Sequence, residues 1–144
     1  MKKVLILDGS AIQAIPMARS LKKQGYYTVL LCNTKKSYGY RTRYGDRKIL
    51  APSTKSEPEA FHQFFLDLIR KERFDVSIPM GDYSARYLSR HQEELRPYTS
   101  FLIPPYEVFM NGYDKNELMK TCRDHDLPHP RSYDLSLGQL DEAA

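Results

Sequence analysis

Val4-Leu5-Ile6-Leu7-Asp8-Gly9-Ser10 decides how this chain is read. Four consecutive β-prone apolar residues mark a strand buried on both faces, because a strand with one wet face alternates apolar and polar positions. The acid and glycine that interrupt it mark a turn at the strand's carboxyl end. The period then changes. Ala14, Met17, Ala18 and Leu21 recur at helical spacing and Gly25 stops the helix. Pro16 belongs in the first turn of that helix, where a missing N–H costs nothing. Thr28-Val29-Leu30-Leu31-Cys32 is a second apolar strand. Strand, helix and strand in this order point to a parallel sheet covered by helices.

The same alternation continues downstream. From Asn33 to Asp46 no period is visible, and Gly39 and Gly45 suggest an exposed loop. Lys48–Leu50 is a short third strand. Ser56 and Glu59 have capping-box spacing, and Phe61, Phe64, Phe65, Leu68 and Ile69 then give the strongest helical period in the chain. Asp75–Pro79 reads as a fourth strand, followed by a helix N-capped by Asp82 that runs to about Arg96 and buries Ala85 and Leu88. Ser100–Ile103 reads as a fifth strand. A helical turn at Val108–Met110 precedes a last helix capped by Asp114, with Leu118, Met119 and Cys122 facing inward and Pro128 and Pro130 beyond its end. The expected architecture is an α/β, Rossmann-like three-layer domain over residues 1–130, with a mostly parallel five-stranded sheet. Residues 131–144 turn polar and read as the start of a linker, cut at Ala144.

Composition narrows the function classes. The 41% hydrophobic and 28% charged residues suit a single globular domain rather than a disordered or fibrous chain. No apolar run reaches the roughly 18–20 residues that span a bilayer. The apolar run after Met1-Lys2-Lys3 is too short for a secretory signal, so a cytoplasmic location is expected. Two distant cysteines, Cys32 and Cys122, form no disulfide framework. The net charge of +4 favours anionic ligands only slightly.

Ligands of an open parallel sheet bind outside the carboxyl ends of its strands. Three loops stand there: Asp8–Ile12, Asn33–Tyr44 and Met80–Tyr83. The first has one glycine where a dinucleotide site needs G-x-G-x-x-G, and Asn33 stands where such a site places an acid, which argues against a dehydrogenase. The basic stretch Lys35–Lys48, with Tyr38, Tyr40 and Tyr44, is either an anion or base-stacking surface or a solvated loop packed on itself, and the second reading is preferred. Cys122, His125 and His129 have metal-like spacing, but Pro128 separates the histidines and no fourth ligand stands nearby, so no metal is assigned there and a buried cysteine with two surface histidines is preferred. Asp82 is either a functional carboxylate or only a helix cap. No nucleophile–base pair is evident, so no catalytic residue is assigned.

One segment carries more. Tyr113-Asp114-Lys115-Asn116-Glu117-Leu118-Met119-Lys120, followed by Asp126-Leu127-Pro128-His129-Pro130, resembles the junction between the first two domains of ATP-grasp enzymes. There an aspartate–lysine start, a short helix and a glycine-isoleucine-proline-x-proline exit recur; here Asp126 stands in place of the glycine. The strand-end loop at Gly9 and the Pro79-Met80-Gly81-Asp82 element fit the same order. The likeness is greatest to carbamoyl-phosphate-synthase-like large subunits and related carboxylate–amine ligases. The resemblance implies the N-terminal pre-ATP-grasp domain of an ATP- and Mg2+-dependent ligase, acting on a small carboxylate substrate. It implies that Lys115 reaches the nucleotide phosphates and that Ser10 and Asp82 line the substrate side. The magnesium ligands would lie in following ATP-grasp domains, so this segment alone is expected neither to turn over nor to hold a cofactor tightly, and a homodimer is left open. The alternatives are a stand-alone flavodoxin-like ligand-binding module and, behind it, a basic nucleic-acid-binding domain.

Overall fold

The apolar run that opens the chain forms the middle of a parallel sheet. The computed structural model describes residues 1–130, so the linker expected at 131–144 lies outside the described residues. The strands are β1 (Lys3–Ile6), β2 (Tyr27–Cys32), β3 (Arg47–Leu50) and β4 (Val76–Ile78), in the order β3-β2-β1-β4. Every neighbouring pair is parallel, with Val4 opposite both Thr28 and Val76, and Val29 opposite Arg47. The helices are α1 (Ala14–Lys23), α2 (Tyr38–Arg41), α3 (Pro58–Lys71), α4 (Asp82–Arg90), α5 (Gln92–Leu95), α6 (Tyr106–Tyr113) and α7 (Lys115–Asp124).

Both sheet faces are dry, as the continuous apolar strands require. Leu5, Leu7, Val29 and Leu31 pack with Phe61, Phe65 and Ile69 of α3, Leu88 of α4 and Leu95 of α5. Val4, Ile6, Leu30 and Cys32 point the other way and meet Ala14 and Ala18 of α1. This alternation along each strand divides one apolar run between two half-cores. The result is the expected three-layer α/β fold.

The fifth strand does not form. Ser100 makes a single parallel bridge to Val76 through Ser77 N–H to Ser100 O and Ser100 N–H to Asp75 O. Leu102 is then fully exposed and Pro104 and Pro105 offer no N–H, so nothing extends the ladder and the sheet has four strands among the described residues. Other boundaries shift for local reasons. The stretch read as loop contains α2, capped by the Ser37 hydroxyl, which accepts from Tyr40 N–H. The expected Ser56–Glu59 capping box is not used. Pro58 begins α3, and the reciprocal pair sits one turn earlier, where Ser53 Oγ accepts from Ser56 N–H and Glu57 Oε2 accepts from Ser53 N–H. The helix expected to run to Arg96 breaks at His91, between α4 and α5.

The chain divides into two compact units, Met1–Pro104 and Pro105–Ala144. The second contains α6 and α7. Asp114 caps α7 as expected, its Oδ1 accepting from Asn116 N–H at 2.9 Å and Glu117 N–H at 3.3 Å. The far end closes with Leu127 N–H to Cys122 O and Asp126 N–H to Arg123 O, while Asp126 takes φ 51°. This is the left-handed helix stop that glycine usually fills, and an aspartate tolerates it better than most side chains.

Candidate functional site

A sheet ordered β3-β2-β1-β4 reverses direction between β1 and β4, and the crevice at their carboxyl ends is where such folds take ligands. Four loops meet at that edge, and side chains tie them together. β1 continues its pairing one step past its end, with Leu7 N–H to Ile78 O at 2.9 Å. Asp8 then turns the chain through φ 55°, and Gly9 N–H reaches across to Leu31 O at 2.6 Å. A Cβ on Gly9 would lie 2.7 Å from that same carbonyl oxygen, so only glycine fits there.

Asp8 is the organising group. Its Oδ2 accepts from Met80 N–H at 3.3 Å and from the Ser84 hydroxyl in a short hydrogen bond. The Ser84 hydroxyl also lies 2.9 Å from Gly81 O, and its one proton serves one acceptor at a time. The carboxylate thus joins the β1 loop to the start of α4, the position in which an anion is stabilised by helix amides. Gln13 Nε2 donates to Met80 O at 3.1 Å, a second tie between the same two loops. Gln13 and Ser84 were not singled out by sequence, and Asp8 entered only as part of the first strand-end loop. An acid directly after a buried strand is the signal that points to Asp8; its partners lie 72 and 76 residues away.

Ser10 sits beside this crevice. Its Oγ accepts from Asn33 N–H at 2.9 Å, and its hydroxyl also hydrogen-bonds the Cys32 thiol. The Asn33 side chain donates to Ala51 O at 3.3 Å and Pro52 O at 3.2 Å, so it braces the loops after β2 and β3. Asp82 is exposed and is the first residue of α4 rather than its cap; Gly81 holds the cap position. Its carboxylate therefore carries no capping bond, and what remains is an acid at the positive end of a helix. Ser10 and Asp82 belong to loops that Asp8 and Gln13 link. Lys115 is exposed at the first position of α7, in the second unit.

The structure places the remaining candidates as follows. Burial raises the Cys32 thiol above its ordinary pKa, against the hydroxyls of Ser37 and Ser10 and the charge of Lys48, so it stays a thiol. Cys122 is half-buried rather than buried, and His125 and His129 are exposed. In the basic stretch, Arg47 pairs with Glu72 at 2.7 and 2.8 Å, and Arg43 lies 5.4 Å over the Tyr44 ring. The hydrogen bond and charge of Arg43 lower the Tyr44 phenol, with smaller contributions from Arg19 and Lys23. No helix among the described residues is long and apolar enough to cross a membrane.

No protein-family model matches the sequence, and no curated protein is similar to it in sequence. Solved structures are. An L-amino acid ligase from Bacillus licheniformis matches over 90% of this chain with a TM-score of 0.64 and 16% identity. An N5-carboxyaminoimidazole ribonucleotide synthetase from Thermotoga maritima matches over 98% with a TM-score of 0.64 and 20% identity. A glycinamide-RNase-transformylase T from Mycobacterium tuberculosis matches over 85% with a TM-score of 0.60 and 18% identity. Identities this low show a shared fold. The chain covers 32%, 36% and 35% of those proteins, about a third of each.

Proposed function

We propose that this chain is the N-terminal α/β domain of an ATP-dependent ligase of the ATP-grasp kind. Such an enzyme would activate a carboxylate as an acyl phosphate and pass it to an amine. The observation that supports this most directly is the fold likeness to an L-amino acid ligase and a ribonucleotide synthetase along almost the whole chain. The Asp114-capped helix that begins with Lys115 agrees with the sequence resemblance to the ATP-grasp domain junction. Within that reading, carbamoyl-phosphate-synthase-like chemistry is the finer proposal, and a carboxylate–amine ligase is the broader one.

Residue roles follow from the chemistry present. In the β1–β4 crevice, the Ser10 hydroxyl would turn from the Cys32 thiol to a substrate oxygen, and the exposed Asp82 carboxylate would accept from a substrate amine or hydroxyl. Asp8 would act through them, by fixing the loops. Lys115 would contact the nucleotide phosphates, where its charge and the first-turn amides of α7 share one anion. ATP and Mg2+ supply the phosphoryl group and its charge neutralisation when bound, and positioning dominates the remaining work.

The test uses the full-length protein and measures ADP release against a panel of carboxylic acids and amines. Release that requires both partners is expected. Lys115→Ala should raise the KM for ATP by roughly ten- to a hundredfold, the loss of one charge-assisted contact worth about 1.5–3 kcal/mol. Ser10→Ala and Asp82→Asn should raise the KM for the second substrate and leave that for ATP unchanged. A folded full-length protein that releases no ADP with any pair overturns the proposal.

A further inference from the structure

A second constellation lies where α3 packs against α4 and α5. Phe61 and Phe65 of α3 meet the Tyr87 ring edge-on, with centroids 4.9 and 5.6 Å apart. This packing sets the next residue of α3, His62, beside the α4–α5 break. His62 and His91 lie with ring centroids 4.5 Å apart and planes tilted by 33°. Glu94, three residues past His91, places Oε2 3.6 Å from His62 Nε2 and 3.8 Å from His91 Nδ1. One donor atom from each of the three residues lies within 4.8 Å of the others.

We propose that His62, His91 and Glu94 form a binding site for a divalent transition-metal ion of the zinc class. Two imidazoles and one carboxylate are a donor set that such ions take, with bonds of about 2.0–2.2 Å, which places neighbouring donors about 3.3 Å apart in a tetrahedron. The separations to Glu94 exceed that by a few tenths of an ångström and no pair of donors exceeds 4.8 Å, a gap that side-chain rotation would close on binding. The supporting contacts are also in place. His62 Nδ1 lies 3.1 Å from Tyr87 Oη. When Nδ1–H donates to that oxygen, the Nε2 lone pair faces Glu94. In that tautomer two acceptors face each other, an arrangement that a cation between them would satisfy. Arg70 approaches the other Glu94 oxygen, Oε1, at 3.9 Å, which orients the carboxylate with Oε2 toward the histidines.

Access and a fourth ligand are provided for. The His62 and His91 side chains are each 30% exposed, and both line a cleft of about 340 Å3 whose other walls include Gln63, Tyr83, Arg86 and Arg90. Three protein ligands leave one position for water or an exogenous ligand, and the two arginines favour an anionic one. Two imidazole nitrogens suit Zn2+, Ni2+ and Cu2+, whereas Mg2+ and Ca2+ take oxygen ligands, so the former are the ions this set would prefer. The site rests on these contacts alone and stands whether or not the ligase reading does.

The experiment titrates the purified chain with ZnCl2 by calorimetry and with CoCl2 by visible absorption. One ion per chain is expected, with a Co2+ absorption band stronger than that of the aqueous ion and a higher melting temperature in Zn2+ that a chelator reverses. Tyr87→Phe should weaken binding about tenfold, as loss of a partner behind a ligand does. His62→Gln, His91→Gln and Glu94→Gln should each weaken it further, and a His125→Gln/His129→Gln variant should bind as the wild type does. Zn2+ binding no tighter than in the triple Gln variant overturns the site, as does binding that disappears only with His125 and His129. Should a Gln variant fail to fold, the wild-type Co2+ spectrum decides, and an aqueous-like spectrum overturns the site.

Discussion

Asp46 shows how one side chain can fasten two strands. Its Oδ2 accepts from Thr28 N–H at 2.9 Å, its own N–H donates to Thr28 O at 2.9 Å, and Oδ1 accepts from Lys22 Nζ at 2.9 Å. Burial alone would raise the Asp46 pKa. The Thr28 amide, the Lys22 ammonium and the charge of Lys48 outweigh it, so the carboxyl sits below its ordinary value. The sign of the pH effect follows. With the folded pKa depressed, the unfolded chain binds more protons, so stability rises with pH through that window and is lost as pH falls through the folded value. Asp46→Asn should therefore unfold more easily at neutral pH, by about 1 kcal/mol, since one charge-assisted pair is exposed to screening. The gap between variant and wild type should close below about pH 4, the ordinary carboxyl range. Urea midpoints from pH 3 to pH 7 check this, and a gap that does not change with pH is the contrary result. Nothing in the local sequence announced Asp46. It stood in a stretch without period, and its partner lies 18 residues earlier.

At the level of elements, what was legible was what a strong local period writes down. The Val4–Leu7 run and the Phe61–Ile69 period carry β1 and α3, because burial on both faces or along one stripe imposes those patterns. Ser100–Ile103 looks like a strand by composition, yet pairing depends on donors and neighbours that composition does not record. The sheet order and the Asp8 ties were not legible for the same reason, being set by contacts distant in sequence. α2 is too short for any period, and what places it is a close approach. A Cβ on Gly39 would collide with the Gly9 carbonyl, backbone against backbone, so α2 lies on the β1 loop only while position 39 is glycine. Gly39→Ala must push α2 off that loop and should cost about 1–3 kcal/mol. Gly112→Ala is the control. That position lies within α6 with nothing within 4 Å of an added Cβ, and removing backbone entropy there should stabilise by up to about 1 kcal/mol. Chemical denaturation of both variants decides, and equal effects would contradict the role given to Gly39.

Across the whole molecule, the two compact units differ in what holds them. The first has fully buried large side chains on both sheet faces, Phe65, Phe74, Leu5 and Leu30 among them. In the second, α6 and α7 bury no residue completely, while Val108 and Leu127 remain 58% and 50% exposed. Helices of 8 and 10 residues are marginal in water without tertiary packing. Among the described residues, their own contacts include the Asp114 cap, the stop at Asp126 and the Phe109–Tyr113 ring pair at 5.6 Å. A cap contributes about 1 kcal/mol, against several for a buried core phenylalanine. The chain should therefore not unfold as one unit. In native-state hydrogen exchange, amides of β1 and β2 should exchange most slowly, through global unfolding, and those of α6 and α7 should exchange through openings that cost far less. Thermal melts followed by far-UV signal should show an early, shallow loss of helix before the main transition. Asp114→Ala should move only the early loss. Protection in α7 equal to that in β2, with a single transition shifted as a whole by Asp114→Ala, would mean the second unit is held by more than its own contacts.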